Sequence, residues 1–239
     1  MDPTAREVLA GPPAVARRAA ELMVEACASA AGKVAVCLSG GSTPKLLYEL
    51  LATPRYAGRL PWDRIRWFWG DERFVPPDHP DSNYNMVRRS MLESAHARTS
   101  TVHAMATTGI SPDESAAEYE RMLQGYYGAP TLDASRPLFD VTLLGLGEDG
   151  HTASLFPGVA ALSEARRWTA AVLGVKPEPR LTLTLPAINA SRLVLILVTG
   201  TGKRPVLERL ERGDDLPVAH VNPTNGRVVW LLDEAAAGH

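Results

Sequence analysis

The chain has 239 residues, 45% of them hydrophobic and 22% charged, with a formal net charge of −2 and a pI near 6.3. That composition supports a sizeable globular core and argues against disorder, and the slightly acidic balance lacks the footprint of a general nucleic-acid binder, leaving room only for a local basic pocket that takes a small anion. The start M-D-P-T-A-R-E lacks the basic-then-apolar build of a signal peptide, and no apolar run approaches the roughly 18 residues of a membrane span, so a cytoplasmic protein with no membrane partner is expected.

From Ala14 to Ala30 the apolar positions Val15, Ala19, Leu22, Met23, Ala26 and Cys27 recur at three- and four-residue steps, opposite Arg17, Arg18, Glu21 and Glu25, which predicts an amphipathic helix. Cys27 and Cys37 lack metal-type spacing and read as buried small hydrophobes. Val34 to Leu38 is continuously apolar and partly β-branched, as in a buried parallel strand. S-G-G-S-T-P, Ser39 to Pro44, follows, and L-L-Y-E-L-L then returns to helical spacing. A strand, a Gly-rich loop and a helix start make an anion cradle, with close backbone approach at Gly40 and Gly41 and hydroxyls from Ser42 and Thr43. The plainer reading is an ordinary turn with a Ser or Thr cap. The loop lacks both the Walker and the dinucleotide spacing, so a phosphorylated metabolite is favoured over a nucleotide.

Ile65 to Trp69, I-R-W-F-W, predicts a second strand that delivers Asp71, Glu72 and Arg73 at its end. Three adjacent charges usually make a solvated turn, but after an aromatic strand they could face a substrate. Asp81 to Ala95 predicts a helix capped by Asp81 or Ser82, with Asn83 near its start. Val102 and His103 fit a short strand, and S-P-D-E at Ser111 to Glu114 fits a capping box opening a helix to about Tyr127. His79, His96 and His103 have no partners at metal-ligand spacing.

The apolar run Leu138 to Leu144 stops at G-L-G-E-D-G-H, placing Glu148, Asp149 and His151 at a strand end, where ligands bind in open α/β sheets. Imidazole accepts a proton near neutral pH, so His151 is the natural general base, with Asp149 or Asp71 as the carboxylate that holds its tautomer. An imidazole satisfying backbone groups in a tight turn is the alternative. Ser39 and Ser154 lack a G-x-S-x-G elbow, so activated water is simpler than an acyl-enzyme. Thr169 to Leu173 and Leu181 to Leu185 predict strands flanking a proline-rich connection framed by Lys176 and Arg180. Leu193 to Val198 predicts a buried strand followed by T-G-T-G-K, with Lys203 at a helix start as a second phosphate contact or a solvated charge. Val228 to Leu232 predicts the final strand, and D-E-A-A-A-G-H a fraying tail in which His239 has no role. Alternating strands and helices imply an α/β fold with a mostly parallel sheet covered on both faces, and no linker marks a boundary, so residues 1–239 are expected to form one domain.

L-S-G-G-S-T-P, W-G-D-E-R-F-V-P followed by H-P-D-S-N, and L-L-G-L-G-E-D-G-H-T-A-S-L-F-P-G together resemble 6-phosphogluconolactonases, with R-L-T-L-T-L-P-A-I-N and V-T-G-T-G-K as weaker echoes. The similarity runs from about Val34 to Val229. It implies a Rossmann-like three-layer α/β/α sandwich and hydrolysis of 6-phospho-D-glucono-1,5-lactone in the oxidative pentose phosphate pathway. No metal or organic cofactor is implied, and the partner is the phosphosugar lactone; a monomer or at most a weak homodimer is expected. By motif, His151 looks like the water-activating base and Arg73 like a cation near the phosphate or the developing oxyanion. Gly40, Gly41, Ser42, Thr43, Arg180 and Lys203 look like a phosphate clamp. Glucosamine-6-phosphate deaminases share the loop and the G-x-D-G-H turn but resemble G-H-I-A-F-N-E-P after the histidine. This chain has G-H-T-A-S-L-F-P-G, with no acid there. A non-catalytic phosphosugar sensor is a further alternative, disfavoured by the presence of both Asp149 and His151.

Overall fold

The structure, a computed structural model, describes residues 4–94 and 101–238. The first half carries β1 (Thr4–Leu9), α1 (Pro12–Ser29), β2 (Val34–Leu38), α2 (Ser42–Leu51), α3 (Pro54–Ala57), β3 (Ile65–Trp69), β4 (Asp71–Arg73), α4 (Asn83–Val87), β5 (Val102–His103) and α5 (Pro112–Tyr127). The second half carries β6 (Phe139–Gly145), β7 (Thr169–Val172), β8 (Arg180–Leu183), α6 (Leu185–Asn189), β9 (Ser191–Val198), α7 (Arg204–Glu211), β10 (Arg227–Asp233) and α8 (Glu234–Ala237).

Seven strands form one sheet in the order β1-β10-β9-β6-β2-β3-β5, every pairing parallel. Helices flank it, giving the expected Rossmann-like three-layer α/β/α architecture. All five residues of β2 are buried, as are six consecutive residues of β9 from Leu193 to Val198, because strands covered on both faces have no solvent side to carry polar residues. From β2 the chain builds outward through β3 and β5, then returns to β6 on the other side of β2. The crevice beyond the carboxyl ends of β2 and β6 is therefore the topological switch point, where ligands bind in such sheets.

Several expectations change. Asp71 to Arg73, placed at the end of β3, form a strand of their own, β4, and β4-β8-β7 make a separate antiparallel sheet, so the Thr169 and Arg180 strands do not extend the parallel one. Leu185, expected in a strand, opens α6 instead. Strand β1 was not anticipated: T-A-R-E-V-L carries too little apolar residue to announce itself, since it lies at the sheet edge against β10. The helix after Asp81 is capped by Ser82, whose hydroxyl accepts from Asn85 N, and it widens to a π-helical turn at Arg88–Leu92. Ala95, His96 and His239 lie outside the described residues. The tail is ordered as α8, because the buried Asp233 carboxylate accepts from Ala236 N at 2.8 Å and from Gly200 N at 3.0 Å. The capping box at Ser111 and Glu114 forms as expected. Among the described residues, no helix is long and apolar enough to cross a membrane.

Candidate active site

A cleft of about 280 Å³ opens at the switch point, lined by residues from the carboxyl ends of β2, β6 and β9 together with β4 and the start of α4. It brings together Gly40, Gly41, Ser42, Thr43, Asp71, Arg73, His151 and Lys203, drawn from segments far apart in the chain.

On one wall, α2 begins at Ser42 with no side-chain cap, after Gly41 at φ 105°. A helix start whose first N–H groups find no side-chain acceptor is suited by geometry and by dipole to receive an anion. Thr43 Oγ1 meets Thr199 Oγ1 at 2.6 Å, tying this loop to the end of β9, and Lys203 lines the same cleft. The loop is anchored from below by Tyr48, whose hydroxyl donates to Ser39 O (2.7 Å) and accepts from Ser39 N (3.0 Å). Tyr119 repeats the device one strand over, donating to Trp69 O and accepting from Trp69 N. Burial pushes both phenols up, so both remain protonated donors.

Opposite this wall stands the β6 turn. His151 Nδ1 lies 2.5 Å from Asp149 Oδ1, and the imidazole packs on the Phe156 ring at 4.4 Å between centroids. Of the two carboxylates proposed to orient this ring, Asp149 is the one in contact. Burial alone would raise Asp149, but the backbone and ring hydrogen bonds from His151 outweigh it and hold the carboxyl below its usual range. An ionised carboxylate only accepts, so Nδ1 carries the proton and Nε2 is the nitrogen left to accept one. Gly147 is required here, because a Cβ on it would sit 2.0 Å from His151 Nδ1. The following turn holds Ala153 at φ 48°, the one non-glycine residue with positive φ among the described residues, and it too lines the cleft. Such a conformation persists only where its neighbours over-determine it. Here Leu155 N bonds Thr152 O and Ser154 N bonds Thr182 Oγ1.

The third wall is β4. Asp71 accepts from the Ser154 hydroxyl at 2.8 Å and does not touch His151. Arg73 lines the cleft and donates to Asp81 O at 2.7 Å. Arg180 is not among the lining residues: it pairs with Arg73 across β4 and β8, with its side chain 13% exposed and its Nε buried without a partner. Burial and the neighbouring Arg73 charge lower the Arg180 pKa. Glu178 lies 3.7 Å from the Arg180 guanidinium and Asp71 and Glu72 stand on β4, so the wall carries both signs of charge, with Arg73 the cation that lines the cleft.

Asn83 and Thr199 join the site without having been singled out for it, and Ser154, weighed only as a nucleophile, instead donates to Asp71 from behind the lining. Asn83 stood in the H-P-D-S-N motif and Thr199 in V-T-G-T-G-K, but what each touches depends on partners too distant in sequence for spacing to reveal.

The chain matches the family model for glucosamine-6-phosphate isomerases/6-phosphogluconolactonase over residues 11–230. A 6-phosphogluconolactonase of Nostoc sp. is 44% identical over 209 residues, covering 86% of this chain and 84% of that protein. One from Rattus norvegicus is 38% identical over 242 residues, covering 96% of this chain and 91% of that protein. Among solved structures, 6-phosphogluconolactonase from Trypanosoma cruzi is similar with a TM-score of 0.85 at 30% identity, covering 99% of this chain and 96% of that one.

Proposed function

The chain belongs to the glucosamine-6-phosphate isomerase/6-phosphogluconolactonase family as one of its lactonases, and we propose that it hydrolyses 6-phospho-D-glucono-1,5-lactone to 6-phosphogluconate with His151 as general base. The observation that carries this reading is the Asp149–His151 pair at 2.5 Å on the wall of a cleft that also presents Arg73, Lys203 and the start of α2. The start of α2, Lys203 and Arg73 hold the phosphate and the developing negative charge, with Arg180 reinforcing Arg73 from behind.

His151 Nε2 takes a proton from water as the water oxygen attacks C1 of the lactone. A tetrahedral oxyanion forms, preorganised donors stabilise it, and it collapses by breaking the bond from C1 to the ring oxygen. The ring oxygen leaves as an alkoxide and takes the proton back from His151. Asp149 stabilises the imidazolium between those transfers.

Lactone hydrolysis needs one such base and no second acid to open and isomerise a sugar. The residues directly after His151 that line the cleft are Thr152 and Ala153, neither of them acidic, which favours hydrolysis over deamination.

Replacing His151 with Asn should lower the enzymatic rate by about a hundred- to ten-thousandfold, the range of general-base contributions. Lactone consumption is followed against the spontaneous-hydrolysis blank, and a near-normal rate would remove His151 from this role. Ammonia release from glucosamine 6-phosphate, measured beside it, separates the two branches of the family.

A further inference from the structure

Glu72 lies between two cleft residues on β4, yet its side chain turns away from the cleft and is 2% exposed. Its Oε1 accepts from Arg73 N (2.8 Å) and Asn83 N (2.7 Å), and its Oε2 from Tyr84 N (2.7 Å) and the Ser82 hydroxyl (3.2 Å). One buried carboxylate thus satisfies the backbone donors at the start of α4 and fixes that turn to β4.

The turn presents Asn83, itself 2% exposed. The Asn83 carboxamide donates to Asp71 O at 2.9 Å and lies so close to the phosphate-binding loop that a Cβ on Gly40 would sit 2.0 Å from its Oδ1. The loop after β2 and strand β4 are therefore spaced by one side chain, and the backbone that carries it is held by Glu72 through Asn83 N.

We propose that Glu72 is a positioning residue for the cleft, acting through Asn83 to set the distance between the Gly40–Thr43 loop and the Asp71–Arg73 wall, and so the fit of the phosphorylated end of the substrate. This deepens the lactonase reading and rests on it. Glu72 reaches no substrate; it controls binding by placing Asn83 and the Arg73 backbone. His151 stands on a different loop, so KM bears the effect rather than kcat.

The test is Glu72→Gln, which keeps the shape but turns one acceptor into a donor facing N–H groups. KM for the lactone should rise about tenfold with kcat changed far less, the signature of lost binding rather than lost chemistry. Amide exchange in the unliganded protein should quicken at Arg73, Asn83 and Tyr84, and also at Ser39 and Lys45, the bonded amides of the Gly40 loop. Unchanged kinetics, or a fall in kcat at constant KM such as a smaller folded fraction gives, would overturn the proposal. Exchange quickened at residues 73, 83 and 84 but unchanged at Ser39 and Lys45 would also overturn it. If Glu72→Gln does not fold, Asn83→Ala decides: it retains the backbone bonds to Glu72 and should reproduce the rise in KM and the faster exchange at Ser39 and Lys45, and wild-type values there defeat the idea. If the wild-type protein has no lactonase rate above the blank, the lactonase reading falls by itself, and the exchange at Ser39 and Lys45 in the two variants still decides whether Glu72 spaces the loops.

Discussion

Gly147 and Gly40 lack side chains for one shared reason: each has a functional polar group lying where a Cβ would be, His151 Nδ1 at the first and Asn83 Oδ1 at the second. Gly147→Ala should displace the imidazole from Asp149 and lower kcat at least about tenfold with a smaller change in KM, since misplacement on the order of 1 Å already costs up to a hundredfold. Steady-state kinetics at saturating lactone would check it, and an unchanged kcat would mean the ring is free to shift. Glu72 makes a prediction about pH. Burial pushes its carboxyl up to about 7 against the pull of the Tyr84, Asn83 and Arg73 N–H groups, with Asp71 on the same strand adding to the rise. Arg180 on β8 and Tyr119 on α5 also interact with it. Between pH 4.5 and 7 the folded state keeps a proton that the unfolded state releases, so this contribution is complete below about 4.5 and is lost as pH rises through 7. Relative to Glu72→Gln, the wild-type protein should lose up to about 3 kcal/mol between pH 4.5 and 8, read from urea unfolding at both ends; parallel pH dependences would contradict it. His151 was legible because its residue type and its place at a strand end agree. Glu72 was not, since a run of three charges looks solvated until its burial is known.

Elements whose signals are local were readable from the chain. Strands β2 and β3 end where their apolar runs end, and α5 opens where Ser111 and Glu114 cap it. Elements defined by remote partners were not. Strand β4 is three polar residues, and it is a strand only because Thr182, Leu181 and Arg180 pair with it. Likewise α8 is a mere A-A-A by propensity, and it is held because Asp233 caps it and at the same time grips Gly200 N in the turn leading to Lys203. Asp233→Ala removes both bonds. A loss of about 2 kcal/mol is expected, in the range of hydrogen bonds to a charged acceptor, together with a raised KM as Lys203 loses its fixed position. Denaturant midpoints and kinetics measured on the same preparation would check the pair, and a loss of stability with unchanged KM would take Lys203 out of the phosphate site.

For the whole molecule, alternating strand and helix signals were enough to give the three-layer class, while the order of strands was hidden because parallel neighbours leave no local trace. The second, antiparallel sheet was hidden by one long-range pairing: β7 and β8 are close in the chain, but β4 lies more than a hundred residues before its partner β8. Strand β1 has a global role as well. It covers the edge of β10, and β10 is otherwise an open row of backbone donors and acceptors beside the buried Leu231 and Leu232. Deleting residues 1–9 should leave that edge bare and favour self-association, seen as larger species by light scattering at micromolar concentration; a monodisperse truncated protein of unchanged size would contradict it.

The pairing of Thr4 with Val228 and of Leu9 with Asp233 also has a consequence in time. A ribosome releases β1 more than two hundred residues before its partner. Until β10 has emerged, residues 4–9 have no strand to pair with, and that edge of the sheet cannot close. The cleft residues are all made before that moment, so the nascent protein holds the parts of its chemistry before it holds its outer edge. Docking of β1 onto β10 is then the pairing that closes this edge of the sheet.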